Sequence, residues 1–162
     1  MKKHTLKIKS DPHQILEVEK FIEDICDYYN LNDSYFGNIM VAVTEAVENA
    51  MIHGNHNDKE KYVTIQFDFS QKGIDFTIED EGQGFDFDSI PDATDAEGNP
   101  EKKGTGIYLI RTLADEVRFL ENGSKVRLVF NITSINKEVF INRKKHIEDY
   151  FKVKKNIFEK NN

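Results

Sequence analysis

Three short stretches of the 162-residue chain place polar side chains and glycines at spacings that suit chemistry. In TEAVENAMIHGN, residues 44 to 55, Glu45 and Asn49 are four apart and stand one helical turn above each other. Ala42, Ala46 and His53 project in nearly the same direction, so a carboxylate and a carboxamide share a ledge with small neighbours. A ligand could approach the backbone closely there. A merely solvated helix face is the alternative, but such faces alternate Lys with Glu, and no Lys or Arg occurs between Tyr35 and His53. The second stretch is IEDEGQGFD, residues 78 to 86. Alternation directs Asp80 to the same side as Phe76 and Ile78, toward the interior. A carboxylate so placed needs donors. It either caps a turn through Gly82 or accepts a hydrogen bond from an amino group in a largely apolar pocket. Gly82 and Gly84 would then let the backbone come close to a flat ring. The third stretch is KKGTGIYLIRTL, residues 102 to 113. Gly104 and Gly106 precede an apolar helical run, leaving backbone N–H groups for an anion beside Lys102 and Lys103. A flexible loop before a helix is the alternative. The string is not a P-loop, since no Gly-Lys-Ser/Thr follows at the required spacing.

The elements that must position these groups are legible from periodicity. Phe36, Ile39, Met40, Val43, Val47, Ala50 and Met51 recur at helical spacing, which predicts a helix of about five turns over Tyr35–His53, its apolar face opposite the ledge. An earlier amphipathic helix, with Ile15, Val18, Phe21, Ile22 and Ile25, follows Asp11 and Pro12, which suit a helix start. Residues 5–9 suggest an edge strand. Residues 62–69 and 74–80 alternate about a turn at Gln71-Lys72-Gly73 and predict an antiparallel hairpin. A second hairpin is expected over 116–121 and 125–132, turning at Asn122-Gly123. A short helix over about 107–114 precedes it. One-sided helices and hairpins imply an α+β, two-layer sandwich of helices on one mostly antiparallel sheet. The polar stretch PDATDAEGNPEKKG, residues 91 to 104, has no apolar period and is expected to act as a lid.

Length predicts one domain with an appendage. Residues 1–133 are expected to form the domain and residues 134–162 a basic amphipathic C-terminal extension. The extension holds eight Lys and Arg against four Asp and Glu, which leaves the preceding part near −11 from a whole-chain charge of −7. Such an acidic domain argues against direct nucleic-acid binding. The one cysteine, Cys26, cannot form an internal disulfide and is expected in the core. No apolar run approaches a membrane span and the N-terminus lacks a signal peptide's apolar stretch, so a cytoplasmic protein without membrane contact is expected.

Together, Glu-x-x-x-Asn on a helix, Asp-x-Gly-x-Gly after a strand and Gly-x-Gly before a helix resemble the GHKL (gyrase/histidine kinase-like) ATPase superfamily and its Bergerat-type ATP-binding fold. VAVTEAVENAMIHGN and FTIEDEGQGF look most like the anti-sigma-factor serine/threonine kinases, over roughly residues 5 to 132. The resemblance implies ATP and Mg²⁺ as cofactors. By it, Asn49 would ligate Mg²⁺, Asp80 would recognise the adenine amino group with Gly82 and Gly84 shaping the pocket, and Glu45 would be the general base. Gly104 and Gly106, with Thr105 between them, would approach the phosphates. Two departures matter. Lys102 stands where the family tends to carry arginine, and lysine lacks the planar bidentate fork. Gly123-Ser124 replaces Gly-Thr before the last strand and keeps the hydroxyl at Ser124. Implied partners are a small anti-anti-sigma protein of the STAS type, as phosphorylation substrate, and a sigma factor, with a homodimer left open. The alternative is a non-catalytic module whose nucleotide state controls partner binding. Retention of Glu45 favours the kinase, since nucleotide binding alone needs no base. For the extension, Phe140, Ile147, Phe151 and Phe158 fall near heptad spacing, and packing on the domain or docking on a partner both remain open.

Overall fold

Helical and strand periods resolve into two layers in the computed structural model, which describes residues 4–31, 33–69, 73–86 and 105–132. In chain order these are strand β1 (His4–Lys9), helices α1 (Ile15–Tyr29) and α2 (Asp33–Asn49), and strands β2 (Tyr62–Phe69) and β3 (Gly73–Asp80). Helix α3 (Thr105–Leu113) and strands β4 (Glu116–Leu120) and β5 (Lys125–Asn131) follow. The sheet order is β1-β2-β3-β5-β4, and every neighbouring pair is antiparallel. The α+β expectation is met, with β1 at an edge as its weak pattern suggested. The lid over 91–104, with Lys102 and Gly104, and the extension over 134–162 lie outside the described residues.

Register explains which sheet face is covered. Leu6, Ile65, Ile78, Val126 and Phe119 align in one row across the strands, and Phe67, Phe76 and Leu128 in the next. Alternate side chains share a face, so these rows meet the helices together. Val18, Ile22 and Ile25 of α1 and Ile39, Val43 and Val47 of α2 complete the core against them. Cys26 is buried there, and burial pushes its thiol up to about 12, which fits a packing role. No described helix is long and apolar enough to cross a membrane.

Helix α2 departs from the expected continuous helix in two ways. Regular α-helix stops at Asn49, and Ala50–Gly54 form a wider π-helical turn closed by Asn55 N donating to Ala50 O at 2.8 Å. The side opposite the apolar stripe is not solvated either. Ala42 and Ala46 are buried in the core, because α3 packs along α2 and small residues admit it.

Candidate functional site

Helix α2 presents Glu45 and Asn49 to the start of α3. A Cβ placed on Gly106 would lie 2.6 Å from Glu45 Oε2 and 3.4 Å from Asn49 Nδ2. Glycine is therefore the residue that lets the α3 N-terminal turn approach both side chains. Asn49 Nδ2 is buried without a hydrogen-bond partner. A half-turn of the carboxamide interchanges its oxygen and nitrogen, so the group can offer either to a ligand. Burial, and then the neighbouring Glu48 charge, raise the Glu45 carboxyl above its ordinary value.

Asp80 lines the same recess as Asn49. It continues the face of Phe76 and Ile78 and is itself buried, as alternation requires. Its Oδ1 accepts from Gly82 N at 2.7 Å, so the turn cap is real. That bond leaves Oδ2 for another donor. Burial raises the Asp80 carboxyl despite the lowering effect of the Gly82 bond. Gly54 lies against this carboxylate so closely that any Cβ there would collide with it, and a Cβ on Gly82 would meet the Gly54 carbonyl. Gly84, at φ +83°, lies against the Asn122 carbonyl in the turn before β5. In that turn Asp80 N donates to Ser124 O at 2.9 Å, while the Ser124 hydroxyl donates to Glu121 O at 3.0 Å.

Asn49, Asp80 and Ser124 all line one recess, whose space of about 260 Å³ includes solvent at its open mouth. Its remaining walls are mainly apolar, from Ala46, Ile78, Phe85, Ile110 and Phe119. A largely apolar recess with one carboxylate in its lining suits a heteroaromatic ring bearing an amino group. The buried amide and the glycine start of α3 suit the anionic end of the same ligand. Of the residues singled out in sequence, Glu45, Asn49 and Gly106 form one cluster, and Asp80, Gly82, Gly84 and Ser124 the other. Thr105 opens α3.

Several residues here escaped the sequence pattern. Phe85 and Phe119 line the recess, and the His53 ring packs on Phe85 with centroids 5.5 Å apart. Alternation in β4 places Phe119 inward with Val117 and was available as a signal. Asn55 had no such signal. It is fully buried, donates from Nδ2 to Ser10 Oγ at 2.7 Å and to Tyr62 O at 2.9 Å, and accepts from Glu81 N at 2.8 Å. It thus ties the end of the π turn to the residue after Asp80.

Comparison with known proteins agrees with this arrangement. The model of the histidine kinase-like ATPase domain matches residues 8–130. Serine-protein kinase RsbW of Bacillus subtilis (strain 168) is 28% identical over 129 residues, covering 75% of this chain and 79% of that protein. An anti-sigma F factor of Oceanobacillus iheyensis is 31% identical over 101 residues, covering 61% of this chain and 69% of the relative. A solved structure of the RsbU and RsbW domains of a Mycobacterium tuberculosis protein superposes with a TM-score of 0.56 at 15% identity. That match covers 82% of this chain but only 35% of the solved one, and it speaks to the fold alone. Because the matched span contains the α2 ledge, the Asp80 strand end and the start of α3 together, the chain belongs to the histidine kinase-like ATPase domain family.

Proposed function

We propose that this chain is an ATP-dependent serine/threonine protein kinase of the anti-sigma-factor type, with residues 1–133 as its ATP-binding domain. The observation that carries this reading is the contact of Gly106 with both Glu45 and Asn49, which sets a partly buried carboxylate beside the anion-binding end of the recess. A module that only bound nucleotide would have no use for a base there.

The residues present fit both cofactors. Asp80 would accept a hydrogen bond from the adenine amino group, with the apolar walls, Gly82 and Gly84 shaping the pocket for the ring. The Asn49 carboxamide, whose Nδ2 is buried without a hydrogen-bond partner, would turn its oxygen to Mg²⁺. Mg²⁺ in such enzymes relies on few protein ligands plus substrate phosphates. Bound Mg-ATP supplies the transferable phosphoryl group and most of the charge neutralisation. Glu45 accepts the proton of an incoming serine or threonine hydroxyl, and its raised pKa makes it a stronger base than an exposed glutamate. Thr105 and Gly106, at the start of α3, would orient the phosphate end, and Gly104 and Lys102, which precede them in sequence, would add backbone approach and a positive charge. Ser124 helps close the adenine end.

The names of the relatives, a serine-protein kinase and an anti-sigma F factor, support a protein substrate and a sigma factor as partners; on this reading the substrate is a small STAS-type anti-anti-sigma protein, and the sigma factor is held or released according to nucleotide state. The test is incubation of the full chain with Mg-[γ-³²P]ATP and each STAS-type protein of its host. Label on a serine or threonine of one of them is the expected result. Nucleotide binding without transfer to any of them would overturn the kinase assignment in favour of a regulatory binding module.

A further inference from the structure

The solvent side of α2 is not an ordinary wet helix face. At 3.6 residues per turn Gly37, Val41, Glu45 and Glu48 fall within an arc of about 80°, and Ile52 on the π turn continues it. Val41 is 39% exposed and Ile52 47%, and both rank with the large apolar side chains most open to water among the described residues. No Lys or Arg occurs between Tyr35 and His53, so no long cationic stem from this helix can lie over them.

Gly37 adds a second peculiarity. It is exposed, and a Cβ built on it would meet nothing within 4 Å. Its φ is not among the positive ones, so neither packing nor backbone conformation requires glycine here. Glycine weakens a helix interior relative to alanine, and what it offers in return is close approach to the backbone. The missing side chain leaves a notch one turn before Val41.

Glu45 stands on the border of this ridge. On its other flank α3 packs against α2, where Ala42 and Ala46 are buried and Gly106 meets the Glu45 carboxylate. A hydroxyl that gives its proton to Glu45 therefore has the ridge as its open approach. None of Gly37, Val41, Glu48 and Ile52 lines the recess, so the ridge is separate from the nucleotide's walls.

We propose that the Gly37–Val41–Glu48–Ile52 ridge is the docking surface for the acceptor segment of the phosphorylated protein. The segment's backbone lies close over Gly37, and its apolar side chains pack on Val41 and Ile52. A rise of 1.5 Å per residue sets Val41 about 6 Å before Glu45 along the axis and Ile52 about 10 Å beyond it. The segment recognised is thus a serine or threonine with an apolar side chain on each side of it. This inference rests on the kinase reading and deepens it, because it assigns substrate recognition to a surface outside the nucleotide site.

The test is steady-state transfer from Mg-[γ-³²P]ATP to the STAS-type protein that the wild-type full chain labels. The double variant Val41→Gln, Ile52→Gln should raise KM for that protein by at least about ten-fold, as expected for two lost apolar contacts, with Mg-ATP affinity retained. Gly37→Gln should raise KM as well, yet also raise the thermal midpoint, because glutamine favours the helix. A merely structural role for Gly37 would not couple gained stability to lost recognition. Leu120→Gln alters a comparably exposed apolar residue on β4 and should leave KM unchanged. Wild-type KM in the α2 variants would overturn the docking surface while leaving the kinase reading intact. So would a changed oligomeric state of the double variant at unchanged KM, which would assign the ridge to a second copy of the chain. Transfer by the wild type to none of the host's STAS-type proteins would overturn the kinase reading and this surface with it.

Discussion

Gly54 lies directly on the carboxylate of Asp80, with no room for a Cβ between them. The contact joins the end of the π turn to the end of β3, so it fixes where the carboxylate proposed to recognise adenine stands. Gly54→Ala should displace that carboxylate and weaken adenine-nucleotide binding by more than about ten-fold, since a single displaced charge-assisted bond costs roughly 1.5–3 kcal/mol. Helix content should be retained, because alanine favours the helical backbone there. Calorimetry and circular dichroism on one preparation separate the two effects.

Asp80→Asn should lose affinity by a similar factor and yet stabilise the protein near neutral pH. Burial raises the Asp80 pKa in the folded state. A carboxyl raised in this way contributes stability below its unfolded pKa and loses it as pH climbs through the folded value. At pH 7 the charged form is therefore a cost that asparagine removes, while its side-chain oxygen can still accept from Gly82 N. The expected thermal shift is upward, at roughly 2–4 °C per kcal/mol for a chain of this size. A midpoint unchanged or lowered at pH 7 would refute this account of Asp80.

Glu45→Gln should separate binding from chemistry. Nucleotide affinity should stay nearly constant, because the proposed function gives adenine recognition to Asp80 and metal ligation to Asn49. Phosphoryl transfer to the partner should fall by about 10²–10⁴, the usual worth of a positioned general base. The wild-type acid limb should lie above the ordinary glutamate value of about 4.3, since burial and then Glu48 raise this carboxyl. Glu48→Gln should move that limb toward lower pH, as it removes the like charge. An acid limb unmoved by Glu48→Gln would argue against Glu45 as the titrating base.

Asn55→Ala should be the most damaging substitution outside the hydrophobic core. It strands Glu81 N, Ser10 Oγ and Tyr62 O at a fully buried position. Orphaned buried groups cost roughly 1–3 kcal/mol apiece, partly relieved by entering water. Urea unfolding should show a loss on the order of 2–4 kcal/mol without a change in slope. Asn55→Asp keeps the acceptor for Glu81 N but loses both donors, and should rescue little.

Much of the fold and roughly half of the site could be read from spacing. Period-two patterns exposed β2, β3 and β5, and they aimed Asp80 inward because strand geometry leaves only two sides. Glu45 and Asn49 were visible as a pair because four residues make one turn. What spacing could not show was the change of pitch after Asn49. Nothing between Ala50 and His53 breaks a helix, and the wider turn exists because Asn55 is held by three partners distant in sequence. The burial of Ala42 and Ala46 was equally hidden, since it depends on where α3 packs. Asp75 and Val129 look like ordinary outward-facing strand residues, and only the three-dimensional structure reveals that they are buried.

The π turn also sets a tolerance on length. It holds Asn49 and Gly54 in a fixed angular phase, with one cluster of the site hung on each end of five residues. Removing one of them would restore an even helical pitch and rotate everything downstream by about a quarter turn. Gly54 would swing off Asp80, and Asn55 would leave its socket. The segment behaves as a gauge block: most side chains on it can be exchanged, but its count cannot. Library selections that permit deletions should therefore find α1 and the 56–61 loop variable in length while residues 49 to 55 stay fixed.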